Sequence, residues 1–222
     1  MLPSSPFTRP ELLASGVSER RWRTLRDTQQ MRELVQGVFV DAALPDTVDL
    51  RLAAVARTLS PGQVVARATA AWVDGLDVLD PRGLPATPRV GVLVKRQIDR
   101  PKGRLVVAHS ADDLRSCDVT VRNGVPITSP LRTACDLARF GRRADALVAL
   151  DWYLRAGAFT TDELLAALPR WTRRRGINQL RELAKMASPL SESPGESRLR
   201  LMVIDGGLPH PELQIWIEDH AG

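Results

Sequence analysis

Apolar and polar residues alternate over the first forty positions in a rhythm that shifts from helix to strand. Thr8 followed at the third position by Glu11 has the form of a reciprocal capping box and predicts a short helix carrying Leu12 and Leu13. Ser15-Gly16 breaks that helix, and Ser18 opens the next one with Glu19 in its first turn. At about 100° per residue, Trp22 and Leu25 share one face of the second helix, while Arg20, Arg23 and Thr24 point the other way. Arg21 and Arg26 flank that outward face. Residues 33–40, rich in β-branched and aromatic side chains around Gly37, predict a turn and a strand. Helix, tight turn, helix with a basic free face and β wing is the order of a winged helix-turn-helix, expected over residues 1–43. In such a module Ser18, Arg20, Arg21, Arg23, Thr24 and Arg26 form the DNA-reading surface, the arginines forking onto guanine edges or phosphates. The competing explanation is a solvated arginine-rich surface helix; the N-terminal position and the wing favour DNA.

The middle of the chain changes character. Pro45-Asp46-Thr47 ends the wing and caps a helix to about residue 59, Ser60-Pro61-Gly62 turns the chain, and residues 64–75 read as an alanine-rich helix. Pro81, Gly83, Pro85 and Pro88 mark a loop before two strands, 90–95 and 105–108. Between those strands Lys95, Arg96, Arg100, Lys102 and Arg104 face only Asp99, as the basic tip of a hairpin. That tip is a second candidate DNA contact along a phosphate backbone, or else a solvated loop. Residues 118–128 form a hairpin about Asn123-Gly124, and Ser129-Pro130 then starts a helix carrying Leu131, Ala134, Cys135, Leu137 and Ala138. Further helix is expected over 142–156, and after a second capping box at Thr160 and Glu163. Residues 170–185 are strongly basic and interrupted by Gly176; Trp171 beside them fits a nucleic-acid patch or a rim packed on the core. Residues 187–194 have linker composition, Ser193 opens a helix ending at Gly206-Gly207, and 213–218 alternates like a strand. The expected class is α+β: a winged helix-turn-helix at 1–43, a mixed domain with short antiparallel strands at 46–186, and a helix–strand fragment at 193–222.

Composition narrows the partner. The 222-residue chain carries 31 Lys and Arg against 26 Asp and Glu, a formal charge of +5, and its isoelectric point is about 10.0. Lysine occurs only at positions 95, 102 and 185, so the excess is arginine, whose planar fork suits phosphate and guanine. The same bias also follows from a GC-rich genome. Cys117 and Cys135 have no metal-ligand spacing, Cys135 sits on an apolar stripe as a packing residue, and His109 reads as a hydrogen-bonded structural residue. With no basic and apolar leader, and no apolar run of bilayer length, a cytoplasmic protein that binds no membrane is expected.

Three stretches carry a family resemblance: GVSERRWRTLRD with LVQGVFV, then VRNGVPITSPLRTACDLAR, then SPGESRLRLMVIDGGLPHPELQIWI. They resemble actinobacterial proteins with an AbiEi-like antitoxin N-terminus, many of which carry a Vsr-like (very-short-patch-repair) endonuclease domain at the C-terminus. The resemblance implies an antitoxin of a type IV toxin–antitoxin system that binds double-stranded DNA, represses its own operon and counters a nucleotidyltransferase-like toxin. The endonuclease half departs from the family pattern. Such a nuclease needs a helical Glu, an Asp and a Glu/Asp-x-Lys pair on a hairpin, which together hold a divalent metal that activates water. Glu196 matches the helical position and Asp219 is the next acid, yet Gly222 ends the sequence before that hairpin. Residues 193–222 are therefore expected to be an incomplete restriction-endonuclease-like piece. No cofactor is expected, Mg2+ being implied only for a complete core, and Leu213, Ile215 and Ile217 would lie under-buried. Glu196 also has a structural role as the third helical residue after the Ser193 cap. Three readings result: a DNA-binding repressor or antitoxin, which is adopted; a metal-dependent endonuclease; and a protein-binding module. No heptad or apolar stripe indicates an oligomeric state.

Overall fold

The computed structural model describes residues 2–76, 89–94, 106–110 and 113–216. Its contacts divide into two compact units, Met1–Ser129 and Pro130–Gly222.

The first unit opens with a three-stranded antiparallel sheet and two helices. These are β1 (Phe7–Thr8), α1 (Arg9–Ala14), α2 (Glu19–Asp27), β2 (Met31–Val35) and β3 (Val38–Asp41), with sheet order β1-β3-β2. The two-residue β1 is invisible to periodicity; it exists because Phe7 and Thr8 pair with Phe39 and Val38. Phe7, Leu12, Trp22, Leu25 and Met31 make a small core, where Trp22 meets Phe39 edge-on at 4.8 Å. A bulge between Glu33 and Val35 turns two consecutive residues, Leu34 and Val35, inward. Glu33 supports the turn that follows, its carboxylate accepting from the Gly37 amide at 2.6 Å, with Gly37 at φ 82. Leu34, Val35, Val38 and Val40 thereby join a second core with Leu52, Val55, Val65, Val92 and Ile127.

That second core belongs to a mixed five-stranded sheet of order β6-β5-β4-β8-β7, made by β4 (Val64–Val65), β5 (Val90–Val94), β6 (Val106–Ser110), β7 (Val119–Arg122) and β8 (Val125–Thr128). The helices α3 (Val48–Ala56) and α4 (Arg67–Val73) pack with it. Thr47 caps α3 by accepting from Leu50 N at 3.2 Å. Asp46 does not cap but grips Arg51 with both oxygens at 2.9 Å, and this hydrogen-bonded ion pair holds its carboxyl below the usual carboxylate range.

Two sequence expectations are corrected here. Residues 64 and 65 are strand, not the start of the alanine-rich helix: Val64 and Val65 pair with Leu93 and Val92, and α4 begins only at Arg67. Strands β5 and β6 run parallel, Val90 opposite Val106 through Val94 opposite Ser110, so no hairpin joins them. Two short apolar runs reveal that each is a strand, but not the direction in which they lie side by side. Lys95, Arg96, Arg100, Lys102 and Arg104 lie outside the described residues. The expected hairpin at 118–128 is present, with Asn123 at φ 47 and Gly124 at φ 79 as its two left-handed turn residues.

The second unit is helical: α5 (Pro130–Phe140), α6 (Arg143–Arg155), α7 (Thr161–Ala167), a short 3-10 turn at Leu168–Trp171, α8 (Ile177–Met186) and α9 (Pro194–Asp205). Leu147, Leu150, Tyr153, Leu164, Leu180 and Leu183 are fully buried. Two buried acids are locked among arginines. Asp136 accepts from Arg132 at 2.8 Å and Arg139 at 3.3 Å. Asp151 accepts from the Ser188 amide at 2.8 Å, from Ser197 Oγ at 2.6 Å and from Arg200. The linker composition of 187–194 does not make a free tether, since Ser191 is buried between α8 and α9 in the chain. Leu213 to Trp216 form no strand, since no strand among the described residues offers them a ladder; Ile215 is exposed and Trp216 is 95% exposed, while Ile217 and Glu218 lie outside the described residues.

Gly176 is a fixed point of this unit. It sits at φ 80, and a Cβ there would lie 2.1 Å from the Arg139 carbonyl oxygen. Gly176→Ala is therefore expected to cost about 2–4 kcal/mol, from a strained left-handed residue plus a backbone clash. Urea denaturation followed by circular dichroism would measure it.

Candidate nucleic-acid interface

Helix α2 is positioned by two of its own residues. Trp22 and Leu25, each 4% exposed, fix its inner face, and Ser18 Oγ caps its start by accepting from Arg21 N at 3.2 Å. Thr28 Oγ1 donates to the Thr24 carbonyl at 2.7 Å and Gln29 turns to φ 54, which ends the helix. Everything left over faces water: Ser18, Arg20, Arg21, Arg23, Thr24 and Arg26 are all exposed.

Their side chains are not equally available. Arg26 pairs with the adjacent Asp27 at 3.2 Å, and Thr24 Oγ1 donates to the Arg20 carbonyl at 3.1 Å. The guanidinium groups of Arg20, Arg21 and Arg23 have no protein partner among the described residues. Arg9, which the sequence did not single out, borders the same region from α1 and pairs with Glu19. With Arg23, Arg26 and Glu33 these two residues line a shallow depression beside Phe39. The turn between β2 and β3, Gln36-Gly37, carries no cation, and Arg32 on β2 is spent on the Leu44 carbonyl at 2.9 Å. The cationic surface of residues 1–43 is thus essentially α2.

The other candidates resolve differently. Trp171 is 1% exposed, with the guanidiniums of Arg139 and Arg170 over its ring at 5.5 and 5.1 Å, so it is a core residue rather than a stacking platform. Cys135 is buried, and burial pushes its thiol far above the ordinary range, as suits packing and not attack. His109 has a companion: Arg67 Nη1 lies 3.3 Å from its Nε2, and burial together with that cation lowers the imidazole pKa.

Residues 63–186 match the family model for the AbiEi antitoxin C-terminal domain. The chain belongs to the AbiEi antitoxin family. Two uncharacterized proteins of Mycobacterium tuberculosis, from strains CDC 1551 and H37Rv, are each 35% identical to it over 198 residues, covering 84% of this chain and 64% of the relative. The chain thus spans less than two thirds of the length of these relatives. The AbiEi match runs from the residue before β4 to the last residue of α8, leaving α2 on one side of it and α9 on the other.

In α9 the carboxylate of Glu196 is spoken for. It accepts from Glu192 N at 2.9 Å and from Ser193 Oγ at 3.1 Å, while Ser193 Oγ accepts from Glu196 N at 3.2 Å. Among the described residues no group of three His, Cys, Asp or Glu side chains is placed to hold a metal ion; Asp219 lies outside them. No helix among them is long and apolar enough to cross a membrane.

Proposed function

We propose that this AbiEi-family chain is a DNA-binding regulator of a toxin–antitoxin pair, in which residues 1–43 act as a winged helix-turn-helix and α2 enters the major groove. The carrying observation is the set of three exposed guanidiniums of Arg20, Arg21 and Arg23, without a partner among the described residues, on a helix whose opposite face is clamped by Trp22 and Leu25. A rigid helix presenting several unspent guanidiniums is the means by which such modules contact guanine edges and phosphates. Ser18 starts the helix, Arg20 and Arg23 face the bases, and Arg21 and Arg26 reach towards the flanking backbone. The cation-free turn between β2 and β3 leaves this wing a minor contributor. The antitoxin family supports a toxin as the second partner, of the nucleotidyltransferase-like kind.

The test is a titration of the purified chain with the duplex that precedes its own gene, alongside a scrambled duplex of equal length. Tighter binding to the native duplex, weakening steeply between 50 and 200 mM salt, is expected. Equal and weak binding to both would remove the regulator reading. Co-purification with a nucleotidyltransferase-like protein encoded beside it tests the second partner.

A further inference from the structure

We propose that β7, the exposed edge of the five-stranded sheet, is a self-recognition strand: it pairs antiparallel with β7 of a second copy of this chain, about a two-fold axis through Val121. This pairing is independent of the DNA reading above.

β7 closes the strand order β6-β5-β4-β8-β7, and among the described residues only β8 pairs with it. The register fixes which of its backbone groups point outward. Successive residues of an antiparallel strand turn their N–H and C=O alternately to one side and the other. Asp118, immediately before β7, turns inward, its carbonyl accepting from Ser129 N at 2.7 Å. Thr120 and Arg122 keep the same alternation and face Ile127 and Val125. Val119 and Val121 therefore direct their groups outward. This agrees with the place of Val121 opposite Pro126, a residue with no N–H to offer. The Val119 N–H is already taken by the Ser116 carbonyl. What the edge presents is the Val121 N–H and carbonyl, the Val119 carbonyl and, at the turn, the Asn123 N–H.

These groups are complementary to themselves. With the axis through Val121, its N–H on each copy donates to the Val121 carbonyl of the other, and each Asn123 N–H donates to the Val119 carbonyl of the other. No outward group is left over. Moving the axis to Thr120 would call on the Val119 N–H that Ser116 holds. The edge also lacks the devices that keep strands apart, since Val119–Arg122 contains no lysine or proline and Arg122 is neutralised by Asp74 of its own chain. In the pair, Arg122 faces Thr120 of the second copy, so no like charges oppose each other. Val121, 69% exposed in the single chain, lies against Val121 of the second copy. A four-residue edge buries far less than the roughly 1,200 Å² of a tight interface, so a dissociation constant on the order of 10–100 µM is expected.

Sedimentation velocity of the intact chain without DNA, from about 1 to about 500 µM, is expected to show a reversible monomer–dimer equilibrium. Val121→Pro removes the central outward N–H without touching the β8 ladder, and Val121→Lys sets like charges across the axis. Each is expected to weaken the dimer about tenfold or more, and the lysine variant carries the test if the proline variant misfolds. Cross-linking checks the register in a Cys117→Ser background. Facing residues of a hydrogen-bonded pair have Cα atoms about 5.5 Å apart, within disulfide reach, so Val121→Cys is expected to form an intermolecular disulfide on mild oxidation. Thr120→Cys, also exposed, lies diagonal to its own copy at about 7–8 Å and is expected to link at least about tenfold more slowly. A chain that stays monomeric at the highest concentration overturns the proposal. So does a dimer that both Val121 variants leave intact, or a Thr120→Cys chain that links as fast as Val121→Cys.

Discussion

Arg20→Ala combined with Arg23→Ala is expected to abolish preferential binding to the native upstream duplex while leaving the fold intact. Neither guanidinium is tied to another described residue, and both side chains are exposed, so their truncation removes no packing. An arginine forked onto a guanine contributes about 1–3 kcal/mol to discrimination, and each factor of ten in affinity corresponds to about 1.4 kcal/mol. The pair is therefore expected to weaken the specific complex roughly a hundredfold or more, with a much smaller change on a scrambled duplex. Arg26→Ala is the internal control: Arg26 already pairs with Asp27, so a smaller and sequence-independent loss is expected. Mobility shifts on the two duplexes, with circular dichroism to verify folding, decide the matter. A double variant that still separates native from scrambled DNA would take α2 out of the reading surface.

The second large effect concerns stability. Asp151 is 1% exposed and is the common acceptor for the Ser188 amide, the Ser197 hydroxyl and the Arg200 guanidinium, which joins α6 to the start of the 187–193 segment and to α9. Asp151→Ala leaves Arg200 buried without its counter-charge and Ser197 Oγ with only the Ser193 carbonyl, at 3.5 Å, to donate to. Breaking a buried pair on one side costs about 3–5 kcal/mol, mostly as the penalty of the stranded charge. For a chain of this length that corresponds to a fall in Tm of roughly 10 °C. Adding Arg200→Met to Asp151→Leu, which removes both charges, is expected to recover most of the loss. Scanning calorimetry of the three proteins measures this, with hydrogen exchange of the α9 amides as a local readout. A loss below about 1 kcal/mol for the single variant would mean that α9 is held by its peripheral pairs, Arg198–Asp145 and Arg143–Asp205, rather than by this hub.

Local chemistry made much of the architecture legible. The Thr8–Glu11 and Thr160–Glu163 boxes, the Thr47 and Ser193 caps and the Asn123-Gly124 turn each act through atoms a few residues apart, so they mark element ends from sequence alone. The division of α2 into Trp22 and Leu25 on one side and arginines on the other was equally open to helical periodicity. Where the decisive partner was remote, the pattern misled. Val64 and Val65 sit beside an alanine run, but their strand pairing comes from Leu93 and Val92. The parallel register of β5 and β6 is likewise set by the whole sheet. Residues 213–216 have a strand's alternation and, among the described residues, no strand to pair with.

Helix α9 shows the limit most clearly. It buries Ser197 and Arg200 and exposes Leu199 and Met202, the reverse of what hydropathy assigns, because Asp151 waits beneath it. From its residues alone this protein acquired its capped helices, its tight turns and a helix with one arginine face, all governed by interactions along a short span of chain. Only the folded molecule decided which of its many arginines were already paired and which remained unspent, since that depends on acids and carbonyls brought close from distant positions. Function of the kind proposed lies in that remainder: a guanidinium that finds an internal partner holds the protein together, and one that does not is available to a phosphate.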